Sequence, residues 1–353
     1  MITRRRFLAN SLSAVAGAYW LQSTQAFAQP STHRFFDLHT HPGMFVAKGM
    51  ADGVDAAVAK TIGEMNKGGL TGAFFSMVAD APNIRAGATG IQMTGAYKPG
   101  EAWKEYQRQM AALKDYLGSM PVTPATKTSD LKTAEQQHKV AAYIACEGGD
   151  FLEGKADRLD EMYNDGVRSI QLVHYHTNEL GNLQTEDAQY DTGLSPSGKE
   201  IVRKMNKLGM VIDVAHAAES TVKAVVDLTD SPIILSHTVL RVDENRPLAK
   251  RAVTPEHAKL IAKNGGVIGA WPSGFSTSFD DYIDNIRRLA DIVGVDHLGL
   301  GTDLDGNFKP VMTTFLELPR WADALKNKGF TEEEVSKITF GNVERVLNKI
   351  LKK

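Results

Sequence analysis

Arg34-Phe35-Phe36-Asp37-Leu38-His39-Thr40-His41 is an apolar run, short enough to be one buried strand, that closes on two imidazoles two positions apart. Successive side chains of a strand point to opposite faces, so His39 and His41 emerge on the same side and can grip one ion. The same arrangement returns along the chain. After Arg34–Leu38, runs rich in Val, Ile and Phe follow at Gly72–Val78, Ala141–Cys146, Ser169–Val173, Met210–Val214, Ile233–Leu235, Val267–Ala270 and His297–Leu300. Helix-period segments lie between them at Glu101–Leu117, Asp157–Asp165, Ser197–Leu208, Ser220–Leu228, Pro255–Asn264 and Phe279–Val293. Thr331, with Glu334 three residues on, opens a further helix as a capping box.

Eight buried runs in βα alternation within 353 residues, with no Pro/Gly/Ser-rich linker, predict the α/β class: a single-domain (β/α)8 TIM barrel with long βα loops over residues 29–353. Three connections, Pro42–Thr71, Ala79–Gly100 and His174–Pro196, are long and rich in Gly, Asn and Asp. In a barrel they lie over the carboxyl ends of the strands, where active sites are built.

The titratable residues fall on that same rim. Glu147 follows the third run, in Cys146-Glu147-Gly148-Gly149, His174 the fourth, His216 the fifth, His237 the sixth and Asp303 the eighth. One strand-end histidine is most often structural. Seven metal-competent groups at one end of one barrel point instead to a metal site of His39, His41, Glu147, His216, His237 and Asp303, with His174 beside it. His138 and His257 fall in helical segments, and His297 starts a strand at the opposite, structural face. Cys146 points away from Glu147 as a buried inert thiol. Asp213 and Asp305 read equally well as partners of ligand imidazoles or as caps.

Composition narrows the class. A formal net charge of −2 without a basic block excludes a nucleic-acid partner, and a single cysteine excludes a disulfide framework or a multi-cysteine zinc site. Residues 1–28 read as an export signal: Arg4-Arg5-Arg6-Phe7-Leu8, a short weakly apolar stretch, and Ala26-Phe27-Ala28 as the cleavage pattern. Paired arginines before Phe-Leu resemble a twin-arginine signal, which implies the twin-arginine export machinery as partner and a periplasmic or extracellular destination.

Further motifs carry a family resemblance. Gly193-Leu194-Ser195-Pro196, Met205-Asn206-Lys207-Leu208-Gly209-Met210, Gly265-Gly266-Val267-Ile268-Gly269 and Gly301-Thr302-Asp303-Leu304-Asp305-Gly306, with Cys146-Glu147-Gly148-Gly149, resemble the membrane (renal) dipeptidase family of zinc peptidases in the amidohydrolase superfamily, from about Phe36 to Asp305. The resemblance implies two zinc ions bridged by Glu147. His39, His41 and Asp303 complete one site, and His216 and His237 the other. It implies a metal-bridging hydroxide that hydrolyses dipeptides, including those with a carboxyl-terminal D-residue, and a small-molecule substrate held by a frequently dimeric protein. Asp303 and His174 become catalytic groups, with His174 and Arg251 on the substrate, although Arg241 and Arg246 lie close in sequence to Arg251. Two departures stand out: His41 occupies the position of the family's aspartate in H-x-D, and Trp271-Pro272-Ser273 stands where a substrate-binding tyrosine is common. They keep open an amidohydrolase acting on N-acyl amino acids, lactones or phosphoesters, or a metal-holding binding protein without turnover.

Overall fold

The computed structural model describes residues 33–352 apart from 88, 89, 177 and 187, so the export signal expected over residues 1–28 lies outside the described residues. The strands are β1 (Phe35–Thr40), β2 (Leu70–Val78), β3 (Ile84–Gly87), β4 (Gly90–Met93), β5 (Val122–Ala125), β6 (Val140–Glu147), β7 (Val167–Gln171), β8 (Val211–Asp213), β9 (Ile234–Thr238), β10 (Val267–Ala270) and β11 (Leu298–Leu300). Eight of them run β2-β1-β11-β10-β9-β8-β7-β6 and close through β2–β6, all parallel. These are the eight runs anticipated from sequence, closed into a TIM barrel.

The eight barrel strands are buried along their whole length and mostly apolar because both of their faces are covered, as parallel sheets require. Phe36, Phe74, Tyr143, Val211, Ile234 and Val267, from strands all round the barrel, form one buried cluster with Phe340, Val343 and Leu347 near the carboxyl terminus. That cluster fills the barrel, and the terminal helix Asn342–Ile350 stops its amino-terminal mouth. Alternate residues such as Phe35, Phe75, Ile144, Cys146, Ile212 and Ile268 pack outward under the helices. Cys146 is therefore in the strand–helix layer, where burial raises its thiol pKa and keeps it inert.

Several features depart from the sequence reading. β5 is a ninth strand: it pairs with Val140–Tyr143 of β6, and β7 joins the same strand from Ile144 onward. The Pro42–Thr71 connection holds a 15-residue helix, Val54–Gly68, that buries Val58, Ile62 and Met65. Glycines before and within this segment obscured its stripe. The Ala79–Gly100 connection holds the β3–β4 hairpin. Two more helices, Ser129–Gln136 and Leu318–Asn327, also went unread. His138 lies in the turn after Ser129–Gln136 with a left-handed φ of 53°, not in a helix. The capping box is present, with Thr331 Oγ1 accepting from Glu334 N and Glu334 Oε2 from Thr331 N.

Under the catalytic rim, β9 is gripped from β10 and β11 by two glycines. A Cβ on Gly269 or on Gly301 would stand 1.8 Å from the Ser236 carbonyl oxygen, one residue before His237. The obstacle is backbone, which cannot swing aside. Gly269→Ala should therefore cost on the order of 1–3 kcal/mol or more and lower the unfolding midpoint by several degrees in a thermal scan. An unchanged midpoint would show that the contact relaxes freely.

Candidate active site

Glu147 ends β6 at the centre of the rim and is 2% exposed. Five imidazoles surround it. His39 Nε2, His174 Nε2, His216 Nε2 and His237 Nε2 lie 3.2, 3.3, 3.6 and 3.7 Å from Oε1, and His41 Nε2 lies 3.3 Å from Oε2. Asp303 Oδ1 is 3.3 Å from His41 Nε2. The six residues expected as ligands thus converge on one point, together with His174.

Four of the five histidines turn their Nε2 atoms inward with the other ring nitrogen engaged from behind. His41 Nδ1 meets the Ser76 carbonyl at 2.8 Å, which holds a proton on Nδ1 and turns Nε2 to Glu147 and Asp303. His39 Nδ1 lies 3.2 Å from Ser76 Oγ, His237 Nδ1 3.0 Å from Ser236 Oγ, and His174 Nδ1 2.6 Å from Asp80 Oδ1. His216 Nδ1 is buried without a hydrogen bond. His216 and Asp303 both follow short strands and take left-handed backbone, φ 65° and 53°. Non-glycine residues persist there only where the surroundings hold them, at about 1–3 kcal/mol each.

A carboxylate so deeply buried would ordinarily take up a proton. Burial does push Glu147 that way, but the His174 and His39 imidazoles prevail and hold it well below the usual carboxylate range. Burial, aided by neighbouring cationic groups, drives His216 and His237 well below the usual histidine value, so both are neutral and free to donate to a metal. Burial also opposes charge on His41 and His174. Hydrogen bonds that His41 donates to Asp303 and Glu147 outweigh it there, as the charges of Asp80 and Glu147 do for His174, so both are raised.

Donor atoms within 4.8 Å of one another form the sets His39–His41–Asp303, His39–Glu147–His237 and Glu147–His174–His216. The first matches one predicted site. In the last, His174 stands among the ligand-competent atoms as well as beside them. The set is nitrogen and carboxylate oxygen with no thiol, which suits a divalent transition metal such as zinc.

Arg251 follows β9, is 2% exposed and does not line the cavity. Its Nη1 donates to Gln184 Oε1 at 3.0 Å, while Nε and Nη2 are buried without an acceptor in hydrogen-bonding geometry. Arg246 is spent on Asp281 at 2.6 Å, and Arg241 donates to the Ala252 carbonyl, which separates Arg251 from the two arginines near it in sequence. Trp271 lines the cavity edge-on to His237 at 5.5 Å, and the Tyr175 phenol, from beyond β7, stands beside Arg251. Asp213 and Asp305 act as caps: the first accepts from Ala215 N and Ser236 N, the second from Gly43 N and Thr61 Oγ1. Asp80, Tyr175 and Gln184 were missed. Asp80 was within reach of the strand-end rule, two residues beyond β2.

The family model of the membrane dipeptidases, peptidase family M19, matches residues 30–352. The chain is 25% identical to dipeptidase aclJ of Aspergillus oryzae over 296 residues, 77% of this chain and 69% of that one. To dipeptidase tcpJ of Claviceps purpurea it is 29% identical over 238 residues, 64% of this chain and 55% of that one. A metallopeptidase from Rhodobacter sphaeroides, solved with a phosphinate mimic of the dipeptide L-Ala-D-Ala, superposes with a TM-score of 0.75 at 18% identity, covering 91% of this chain and 100% of that one. On the match of the family model over nearly the whole barrel, the chain belongs to the membrane dipeptidase family, peptidase family M19, a family of hydrolases acting on peptide bonds.

Proposed function

We propose that the protein is an exported dipeptidase working with two divalent metal ions, zinc by preference, that cleaves dipeptides including those with a carboxyl-terminal D-residue. The observation that carries this reading is the convergence of five inward Nε2 atoms and the Asp303 carboxylate on the buried Glu147. Glu147 would bridge the ions, with His39, His41 and Asp303 on one and His216 and His237 on the other. Such a pair supplies Lewis acidity and a water acidified from 15.7 towards about 7. The D-residue is supported by the mimic held by the Rhodobacter sphaeroides relative, and export by the paired arginines and Ala26-Phe27-Ala28.

The chain's own groups then divide the work. His174, held through Nδ1 by Asp80, presents Nε2 to the carbonyl oxygen as it gains charge, and it is the side chain best placed to stabilise that oxyanion. Asp303 is the more exposed of the two cavity-lining carboxylates, at 8% against 2% for Glu147. It takes the proton of the attacking water and passes it to the leaving amine. Arg251, with donors to spare, draws the substrate carboxylate to the β9 side of the rim.

Release of free amino acids from a mixed dipeptide panel should stop with chelator and return with zinc. Asp303→Asn should keep most of its metal by elemental analysis while turnover falls by about 10²-fold or more. Undiminished turnover would remove Asp303 from its role, and tight metal binding by wild type without turnover of any substrate would leave a binding protein. Asp80→Asn should lower kcat roughly 10–100-fold with little change in KM, since Asp80 does not line the cavity and its carboxylate meets the His174 ring and the Tyr175 backbone N–H. A change in KM alone would place Asp80 in ground-state binding.

A further inference from the structure

The cavity above Glu147 is polarised across its width. On the side of β7, β9 and β10 stand Tyr175, Leu248 and Trp271, with the Arg251 guanidinium behind Tyr175 and Trp271. The opposite wall, above the neighbouring strands β2, β1 and β11, is made of Met44, Val78, Ile84, Ile91 and Phe308. Among the described residues, the carboxylates lining the cavity are Glu147 and Asp303, both placed on the metals by the reading above. Asp305, which could have served an ammonium group near that wall, is occupied by Gly43 N at 2.6 Å and Thr61 Oγ1 at 2.7 Å.

The apolar wall is built, not left over. Met44 is held in left-handed backbone, φ 52°, directly after Gly43 at φ 58°. A Cβ on Gly43 would stand 2.2 Å from Val58 N, so the turn is pressed against the helix Val54–Gly68 and pinned by Asp305. The turn delivers an apolar side chain that remains 36% exposed at the cavity, a placement that stabilises nothing in the free protein. The β3–β4 hairpin adds the facing side. Its register pairs Ile84 with Met93 and Ala86 with Ile91, which puts Ile84 and Ile91 on one face and Arg85 and Gln92 on the other. The face turned to the cavity is the apolar one.

We infer that this wall is the subsite for the residue on the amino side of the scissile bond and that it selects a large aliphatic or aromatic side chain there. The inference rests on the dipeptidase reading and its orientation. With the substrate carboxylate drawn towards Arg251 and the carbonyl at the metals, the amino-side residue has the wall of Met44, Ile84, Ile91 and Phe308 before it. A Leu, Met or Phe side chain gains by leaving water there, whereas an Asp, Glu or Lys side chain loses its hydration with no partner.

The test is kcat/KM of the zinc-loaded enzyme on dipeptides sharing one carboxyl-terminal residue and varying the first through Gly, Ala, Leu, Phe, Glu and Lys, alongside N-acyl forms of that residue with acyl chains of increasing length. Leu and Phe substrates should exceed the Gly substrate by at least about tenfold, with Glu and Lys lowest. In Ile91→Ser and Ile84→Ser the Leu-to-Gly ratio should fall severalfold, and a ratio is insensitive to partial loss of folded enzyme. Equal turnover of Gly, Glu and Leu substrates, or variants that leave the ratio untouched, would overturn the inference while keeping the dipeptidase. Turnover of the N-acyl series but of no dipeptide would overturn the dipeptidase reading instead. Rates climbing with acyl length would then support the apolar wall, and flat rates would remove it.

Discussion

A carboxylate 2% exposed at the centre of a protein rim is an electrostatic demand that everything around it has to answer. Glu147 brings a negative charge where water cannot solvate it, and such a charge stays only if opposite charge or strong donors are supplied on every side. The barrel supplies imidazoles from four other strands, two from β1, one each from beyond β7 and β8 and one from β9, while Asp303 from beyond β11 adds a second carboxylate that His41 meets. No single segment could do this, because a carboxylate reached from one direction keeps a dielectric void on the others. The closed parallel sheet is what lets residues 264 positions apart in sequence meet within one hydrogen-bond length.

The second requirement is that the answering groups neither collapse onto the carboxylate nor swing away. Serine and backbone oxygens behind β1 and β9 fix the ring planes of His39, His41 and His237. His174 has a carboxylate in that position instead, Asp80, which favours its charged form while it shares the geometry of the others. The left-handed turns at His216 and Asp303 are the cost of aiming side chains inward from strands only three residues long.

The sequence made the barrel and the ligand set legible for one reason. Parallel strands buried on both faces leave unbroken apolar runs, and a charged residue immediately after such a run has few places to go except the rim. Phe35 to His41 and Tyr143 to Glu147 show this most plainly. The rule failed where periodicity is weak or function depends on a partner distant in sequence. β5, with Pro124 inside a four-residue strand, gives no strand signal, and Val54–Gly68 carries its stripe between glycines. Asp80 matters because His174 is 94 residues away, and Tyr175 because Arg251 stands beside it. That Asp281 claims Arg246, one of three arginines close in sequence, is likewise visible only in the fold.

The join between β1 and β11 is where the chain's first and last strands meet, and its backbone register holds a single pair, Asp37 with Leu300. What closes it is side-chain work: the Asp37 carboxylate accepts from Thr302 N at 2.8 Å and Thr302 Oγ1 at 2.5 Å, and the Thr40–Leu304 bridge follows above. His39 and His41 stand on one side of this seam and Asp303 on the other. An ion held by those three would therefore also be a clasp on the hoop, tying the two ends of the barrel across a seam of one backbone pair. Loading the reaction centre and locking the circumference would then be one mechanical event.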